Sequence, residues 1–310
     1  MIRFEHVGKS FAGAIAIDDL SLSIAPGEFV VLIGRSGAGK STALRMINRL
    51  VEHDRGRILF AGDEIRKFKP EELRLRMGYA IQSIGLFPHW TVEQNVAAVP
   101  DLLGWPKARI RDRVTELLEL LGLAPAQFRS RYPHELSGGQ QQRVGVPRAL
   151  AGDPDVLLMD EPFGSLDPVT RDALQREIAR IHGTSGKTIV LVTHDIDEAL
   201  RLATRIALLD HGRLVQVGTP REILERPADD FVTGFVGKGE IGIKLLGLET
   251  VAPYVRPGAV APGESIAATA TLREALSTFV ARRVDRLAVV DADGRPLGAL
   301  SLADLVKGRG

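Results

Sequence analysis

The fold of this chain is restricted most strongly by an apolar segment that runs directly into a glycine-rich loop. Phe29–Ile33 has the length and composition of a buried strand, and Thr42–Leu50 has a helical pattern. The loop between them follows the pattern GxxxxGK[ST], and the residues of this motif are Gly34, Arg35, Ser36, Gly37, Ala38, Gly39, Lys40, Ser41 and Thr42. Such a strand–loop–helix unit points backbone N–H groups and a helix N-terminus at an anion. The sequence therefore predicts an α/β fold with a phosphate-binding loop.

The residue types of the loop match the chemistry of a nucleotide triphosphate. Glycines let the backbone curl around phosphate oxygens, Lys40 can meet the β- and γ-phosphates, and the Ser41 hydroxyl can bind magnesium. The alternative is a glycine-rich turn that binds nothing. The strand before the loop and the helix after it favour the phosphate site over that alternative.

The rest of the first 236 residues alternates strands with helices. Runs of Val, Ile and Leu with strand length recur at Val156–Met159, Thr188–Val192 and Arg205–Leu209. Such continuous runs are typical of parallel strands that are covered on both faces, and amphipathic helical patterns lie between them. Ile2–Val7 and Ile17–Ile24 have no helix between them. They predict a small antiparallel sheet before the parallel one.

Composition excludes several classes of protein and site. The chain has 310 residues, no cysteine, and 40 Lys and Arg against 39 Asp and Glu. The missing cysteines exclude disulfides, thiolate metal sites and a cysteine nucleophile, and the near-neutral charge argues against a nucleic-acid partner. No apolar run approaches the ~18 residues of a membrane span, and the charged N-terminus does not resemble a signal peptide. We expect a cytoplasmic protein whose membrane partner, if it has one, is another chain.

A second buried strand is predicted to end in two acids. Val156–Met159 is followed by Asp160 and Glu161. In nucleotide hydrolases with this pattern, the first acid holds magnesium and the second orients the attacking water. The alternative is an acidic strand end without a catalytic role. The presence of the phosphate loop in the same chain favours the catalytic interpretation.

A serine–glycine turn provides a second candidate anion site without a lysine. Its residues are Leu136, Ser137, Gly138, Gly139 and Gln140, and a helical segment follows. A turn that only caps the helix explains the serine and glycines equally well in isolation. With Gln141–Arg143 after it, however, the segment resembles the signature motif of the ATP-binding cassette (ABC) family.

The resemblance to the ABC family covers about residues 1–236. It places Phe11 where the family stacks an aromatic ring on adenine, and Gln82 at the Q-loop. It also places Asp167 in the D-loop Ser165–Asp167 and His194 at the position of the switch histidine. The implied cofactors are ATP and Mg²⁺, with magnesium held by Ser41, Gln82 and Asp160. Glu161, His194 and Gln82 are the implied catalytic residues.

The resemblance also implies a head-to-tail homodimer. Each ATP would lie between the phosphate loop of one chain and Ser137–Gly139 of the other. Glu161 would polarise the water and His194 would hold the γ-phosphate. One departure from the family is Pro147, where a small residue other than proline is usual. Because proline inside a helix costs ~3 kcal/mol, it predicts a kinked helix or a weakened dimer.

The neighbourhood of the Q-loop, from Gln82–His89 to Leu102–Trp105, resembles the ATPases of glycine betaine, carnitine and choline importers. These residues fall where importer ATPases contact their permease. The resemblance thus implies a peripheral subunit at the cytoplasmic face of the inner membrane. It would work with a permease and, indirectly, with a substrate-binding protein.

The tail has a different pattern. After a Gly- and Pro-rich linker at 237–265, residues 266–310 predict a helix, two strands joined by a turn, and a last helix. This unit resembles one cystathionine-β-synthase (CBS) motif, and it implies a regulatory role with an adenine nucleotide as a ligand. Ser301 and Asp304 lie where adenosine-type ligands would touch. They also form the spacing of a helix cap that needs no ligand.

Three alternative functions compete with this interpretation, and the sequence argues against the second and third of them. The chain could serve an importer of another solute or an exporter, because none of its residues would touch cargo. A soluble ABC protein that acts on DNA or ribosomes would normally carry two cassettes, coiled-coil insertions or zinc cysteines, which this sequence lacks. A phosphate-loop kinase would not carry the signature Leu136–Gln140.

Overall fold

The computed structural model describes residues 1–81, 85–164, 166–259, 261, 263 and 265–307. The chain divides into two compact units, the first ending at Thr219 and the second beginning at Pro220. This boundary lies earlier in the chain than the predicted end of the cassette at residue 236.

The first unit contains the α/β pattern expected from the sequence. Its strands are β1 (Ile2–Phe11), β2 (Ala14–Ile24), β3 (Phe29–Gly34), β4 (Arg55–Phe60), β5 (Asp63–Glu64), β6 (Met77–Ala80), β7 (Val156–Asp160), β8 (Thr188–Val192), β9 (Arg205–Asp210) and β10 (Arg213–Gly218). Its helices are α1 (Lys40–Ile47), α2 (Pro70–Leu75), α3 (Val92–Leu102), α4 (Lys107–Leu120), α5 (Pro125–Phe128), α6 (Gly138–Leu150), α7 (Pro168–Ser185) and α8 (Ile196–Leu202).

Strands β10, β9, β3, β8, β7 and β6 form the main sheet in that order, as far as the described residues show. All neighbours are parallel except β10, which pairs antiparallel with β9. Every residue of β3, β7 and β8 is buried, which is the reason for their unbroken apolar sequences. The parallel sheet predicted from these runs is therefore confirmed. Parallel neighbours end at a common edge, so β3, β7 and β8 bring their following residues together.

A separate antiparallel sheet has the order β2, β1, β4 and β5. It confirms the antiparallel sheet predicted at the N-terminus. Its inward side chains, among them Phe4, Ile17 and Phe60, join one hydrophobic core with residues of β3, α1 and β7. The N-terminal sheet is therefore part of the cassette rather than a separate domain.

Helix α6 begins with the serine cap Ser137 and continues through Pro147 to Leu150. Pro147 is buried and does not interrupt the helix. Because proline lacks an N–H group, the Arg143 carbonyl loses its usual partner one turn later.

The second unit contains α9 (Pro220–Glu225), α10 (Asp230–Val236), α11 (Ile241–Leu246), β11 (Ser265–Ala267), α12 (Leu272–Arg282), β12 (Arg286–Val290), β13 (Pro296–Ser301) and α13 (Leu302–Lys307). The helix–strand–turn–strand–helix pattern predicted for the tail is present. Its core combines apolar side chains of these elements: Val251, Leu272, Ala275, Phe279, Leu287, Val289 and Leu300.

The segment predicted as a linker, 237–265, contains helix α11. Lys244 explains why this helix forms despite the surrounding glycines. Its ammonium group is buried, donates to the Val236 carbonyl at 2.8 Å and pairs with Glu240 at 2.9 Å. The i, i+4 pairing of Glu240 with Lys244 supports one helical turn.

Candidate ATP-binding site

The loop between β3 and α1 has a backbone that only glycine accommodates at two positions. Gly34 has φ +154°, and a Cβ atom there would lie 2.0 Å from the Leu209 carbonyl oxygen. Gly39, the N-cap of α1, has φ +94°, and its Cβ atom would lie 2.4 Å from the Ala16 carbonyl oxygen. The pattern of glycines is thus required by the close approach of β2 and β9 to the loop.

Lys40 is folded into this loop. Its side chain is 6% exposed, and its ammonium group donates to the carbonyl oxygens of Gly34 at 2.8 Å and Arg35 at 2.9 Å. Burial lowers the pKa of Lys40, while the nearby carboxylates of Glu161 and Asp160 act in the opposite direction. These contacts hold the ammonium group inside the loop, where a bound phosphate would offer it a stronger acceptor.

Ser41 and Asp160 meet although 119 residues separate them. The Ser41 hydroxyl donates to Asp160 Oδ1 at 2.7 Å, and Asp160 is completely buried. Its other oxygen, Oδ2, accepts from Arg45 at 3.2 Å and from the Tyr79 hydroxyl at 3.5 Å. A buried carboxylate requires such partners. Two of the three predicted magnesium ligands, Ser41 and Asp160, are therefore in contact.

Arg45 and Tyr79 were not among the residues predicted from the sequence. Arg45 could have been found, because it lies four residues after Ser41 and therefore on the same face of α1. Tyr79 could not, because its proximity depends on the pairing of β6 with β7, which no local pattern indicates.

Glu161 and His194 lie at the same sheet edge, each just after its strand. The Glu161 backbone has φ +47°, a left-handed conformation, and its N–H group donates to the Val192 carbonyl at 2.9 Å. The His194 Nδ1 atom lies 3.5 Å from Glu161 Oε2, and the imidazole side chain is 66% exposed. The structure thus places the predicted base and the predicted phosphate sensor in contact.

Phe11 stands at the hairpin between β1 and β2, where it pairs with Ala14. Its ring is 48% exposed, and the Lys9 ammonium group lies 5.1 Å from the ring centre. Ala16, which touches the phosphate loop at Gly39, is two residues beyond Ala14. An exposed ring at this place is available for stacking, as the resemblance to the ABC family predicts.

The serine–glycine turn forms the N-terminus of α6. The Ser137 hydroxyl accepts from the Gln140 N–H group at 3.2 Å, and Gln140 Oε1 accepts from the Ser137 N–H group at 3.0 Å. Ser137 and Gly138 are exposed, and a Cβ atom on Gly138 would meet nothing within 4 Å. The turn is therefore a capping box within its own chain, and it presents an open surface to solvent.

Two further predicted residues have different outcomes. Asp167 is the N-cap of α7, and its Oδ1 atom accepts from the N–H groups of Val169 at 3.1 Å and Thr170 at 3.0 Å. Hydrogen bonding from Thr170 lowers the pKa of Asp167. Gln82 and Ser165 lie outside the described residues, and the assigned role of Gln82 stays a prediction.

A groove of about 680 Å³ lies beside Tyr79. Its lining joins the segment after β6 to α3 and α6, and includes Tyr79, Gly85, Phe87, Trp90, Val99, Leu102 and Arg148. The Arg148 guanidinium donates to the Gly85 carbonyl at 2.5 Å. Burial lowers the pKa of Arg148. The groove thus combines aromatic and aliphatic walls with a partly buried positive charge.

Comparison with known proteins supports the resemblance along the whole chain. Residues 17–164 match the family model described as ABC transporter, and residues 260–309 match the CBS domain. The glycine betaine uptake system ATP-binding protein YehX of Escherichia coli is 62% identical over 99% of this chain and 99% of its own. The glycine betaine/carnitine/choline transport ATP-binding protein OpuCA of Bacillus subtilis is 49% identical over 94% of this chain and 76% of its own.

Solved structures show the same fold. The ATP-binding cassette MJ0796, in a dimeric post-hydrolysis state bound to ADP and Pi, is 31% identical. It matches with a TM-score of 0.66 over 71% of this chain and 99% of its own. In the part of this chain that the structure describes, no helix is long and apolar enough to cross a membrane. This chain is therefore a member of the ABC transporter family, an ATP-hydrolysing cassette with a CBS domain in its C-terminal unit.

Proposed function

We propose that this protein is the ATPase subunit of an importer for quaternary-amine osmoprotectants such as glycine betaine, choline and carnitine. One structural observation supports the ATPase role above all. Lys40, Ser41, Asp160, Glu161 and His194 lie together at the carboxyl edge of one parallel sheet. The cargo is inferred from relatives whose names specify glycine betaine, carnitine and choline, the first of which is similar over nearly its full length.

The donor set at this edge fits magnesium. Ser41 Oγ and Asp160 Oδ1 are hard oxygen donors that already touch, at 2.7 Å. The described residues contain no group of three His, Cys, Asp or Glu side chains that could hold a metal. Mg²⁺ takes few protein ligands and completes its shell with phosphate and water. When bound, the ion would neutralise charge on the β- and γ-phosphates. Gln82 is the third proposed ligand.

The other residues of the site would have separate roles in nucleotide binding and hydrolysis. Lys40 would exchange its two carbonyl acceptors for phosphate oxygens, and Phe11 would stack on the adenine. Glu161 would take a proton from the attacking water as general base. His194, in contact with Glu161 and largely exposed, would meet the γ-phosphate and orient that carboxylate.

The proposed dimer is supported by the serine–glycine turn, a candidate anion site that its own chain leaves uncovered. Ser137 and Gly138 are exposed and Gly139 is half-buried at a helix N-terminus, where the first N–H groups have no intrahelical partner. We propose that a second copy delivers its phosphate-bound nucleotide to this surface, and that Asp167 lies beside that interface. The γ-phosphate would favour the closed dimer, and its hydrolysis would release it.

The groove beside Tyr79 is the proposed permease contact. Its residues include the Phe87–Trp90 segment, which follows the Q-loop and resembles the permease-contacting segment of importer ATPases. An amphipathic helix with an acidic residue would suit its apolar walls and the Arg148 charge. Through this contact the subunit would lie at the cytoplasmic face of the inner membrane, and the substrate-binding protein would act on it only through the permease.

The CBS unit is proposed to regulate transport. Asp304 Oδ2 accepts from the Ser301 N–H group at 3.1 Å, and the Ser301 hydroxyl accepts from the Ala303 N–H group at 3.3 Å. The other oxygen of Asp304 accepts from Arg256. These contacts support the helix-cap role of Ser301 and Asp304. An adenine nucleotide at this place would have to displace Arg256 from Asp304.

Reconstitution with the permease and the binding protein tests the proposal. Glycine betaine, choline, carnitine and proline are offered in turn to proteoliposomes, and ATP hydrolysis is measured with each. We expect the quaternary amines to stimulate hydrolysis and to be taken up. The Glu161→Gln variant is the matched control, because it keeps the site but lacks the base. Stimulation by none of these amines would contradict the assigned cargo, whereas lack of any hydrolysis by the wild-type complex would contradict the ATPase role.

A further inference from the structure

Tyr79 lines the groove and also contacts Asp160 in the candidate ATP-binding site. It lies on β6, next to β7, and lines the groove together with Gly85, Phe87 and Trp90. Its hydroxyl group also contacts Asp160 Oδ2, at 3.5 Å, and Asp160 is not among the residues that line the groove. Tyr79 therefore contacts both the groove and the carboxylate that is proposed to bind magnesium.

The Tyr79 hydroxyl shares its acceptor with a second donor. The Arg45 guanidinium reaches the same oxygen, Asp160 Oδ2, at 3.2 Å. The Tyr79 hydroxyl is the donor in its contact with Asp160 Oδ2, because an ionised carboxylate only accepts hydrogen bonds. Ser41 occupies the other oxygen of Asp160. Both carboxylate oxygens are thus oriented, one by the phosphate-loop helix alone and one by that helix together with β6.

We infer that Tyr79 is a positioning residue for Asp160, and that its hydroxyl contact makes the Tyr79 side chain in the groove and the metal-binding carboxylate respond to each other. The inference rests on the proposed magnesium site. Hydrogen-bonding partners of a metal ligand fix its orientation, and their removal commonly weakens metal binding by about 10- to 100-fold. The 3.5 Å contact is long and Arg45 shares Oδ2, so we expect an effect near the lower limit of that range.

The sequence provides a fluorescent reporter inside the groove. The chain has two tryptophans, Trp90 in the groove and Trp105 outside its lining. In a Trp105→Phe background, Trp90 emission reports on the groove alone. If Tyr79 links the two places, metal binding at Asp160 changes this emission without any permease present.

The test compares Tyr79→Phe with Tyr254→Phe, both in the Trp105→Phe background. Tyr254 is the matched control because its hydroxyl also donates to a carboxylate, that of Glu249, but in the second unit. A non-hydrolysable ATP analogue is added, Mn²⁺ replaces Mg²⁺, and free Mn²⁺ is measured by electron paramagnetic resonance. Binding of the analogue without metal is measured separately in EDTA.

We expect Tyr79→Phe to raise the Kd for Mn²⁺ by about tenfold and to remove the Trp90 response, with metal-free nucleotide binding unchanged. Tyr254→Phe should behave as the background. An unchanged Kd, or an unchanged Trp90 response in Tyr79→Phe, would overturn the inference. Failure of the background protein itself to bind the analogue would instead contradict the proposed ATP site.

Discussion

Two glycine-containing helix N-termini in the cassette differ in what surrounds them. At α1, Gly39 lies against the Ala16 carbonyl and the following Lys40 is buried. At α6, Gly138 has nothing within 4 Å of a Cβ position and is exposed. The chain itself thus requires the first glycine, whereas nothing in the described part of the chain requires the second. Because no neighbour within the chain requires glycine at position 138, we interpret Gly138 as leaving room for a phosphate from another chain.

The largest expected effect is on ATP hydrolysis, and it should result from a substitution of Glu161. Glu161→Gln removes the general base but keeps a side chain of the same size, so we expect hydrolysis to fall about 10³-fold while ATP still binds. Without turnover, ATP-bound dimers should accumulate, as measured by light scattering. Lys40→Ala is the control, since it should lose nucleotide binding and dimers together. Hydrolysis by Glu161→Gln at the wild-type rate would contradict the role of this residue.

The exposed terminus is probed by Gly138→Asp. An acid in the first turn of a helix is favourable by ~0.3–1 kcal/mol, so the free energy of unfolding should not fall. The same charge would repel a phosphate from the partner chain, and we expect at least ~10²-fold slower hydrolysis. Denaturant unfolding and steady-state ATPase measurements separate the two effects. Equal losses of stability and activity would show that Gly138 is a structural glycine after all.

At the N-terminus of α1, in contrast, a substitution of the glycine should mainly lower stability. Gly39→Ala forces a Cβ atom into a left-handed backbone and against the Ala16 carbonyl, which we expect to lower the free energy of unfolding by ~3 kcal/mol. Gly138→Ala is the matched substitution. It should change stability by less than ~1 kcal/mol, because alanine suits a helix and meets no neighbour. The comparison fails if the two variants unfold at the same denaturant concentration.

The smallest effect concerns Pro147 within α6. Pro147→Ala restores an N–H donor for the Arg143 carbonyl, and a recovered hydrogen bond adds ~1 kcal/mol to the free energy of unfolding. Thermal unfolding measures this gain. If the variant is less stable instead, packing of the proline ring in the buried face of α6 outweighs the missing hydrogen bond.

The sequence predicts best where local pattern and burial coincide. The unbroken apolar runs of β3, β7 and β8 follow from burial on both faces, and the phosphate loop follows from its glycines. The proximity of Ser41 and Asp160 was expected because the phosphate-loop pattern and the acidic end of the Val156–Met159 strand each assigned one of them to magnesium. Tyr79 was not expected, because the position of β6 beside β7 is a tertiary property. The linker prediction missed α11, in which Lys244 is buried and contacts Val236 and Glu240.

The composite site is tested most directly by mixing two inactive chains, Lys40→Ala and Gly138→Asp. In a twofold head-to-tail dimer, a mixed pair contains one site in which both defects meet and one in which neither occurs. When equal amounts of the two chains are assembled on the permease, the pairing does not depend on ATP and half of the complexes are mixed. Each mixed complex has one intact site, so about a quarter of wild-type hydrolysis should be recovered. If each chain instead closed its own site, mixing would recover nothing, and the account would be contradicted.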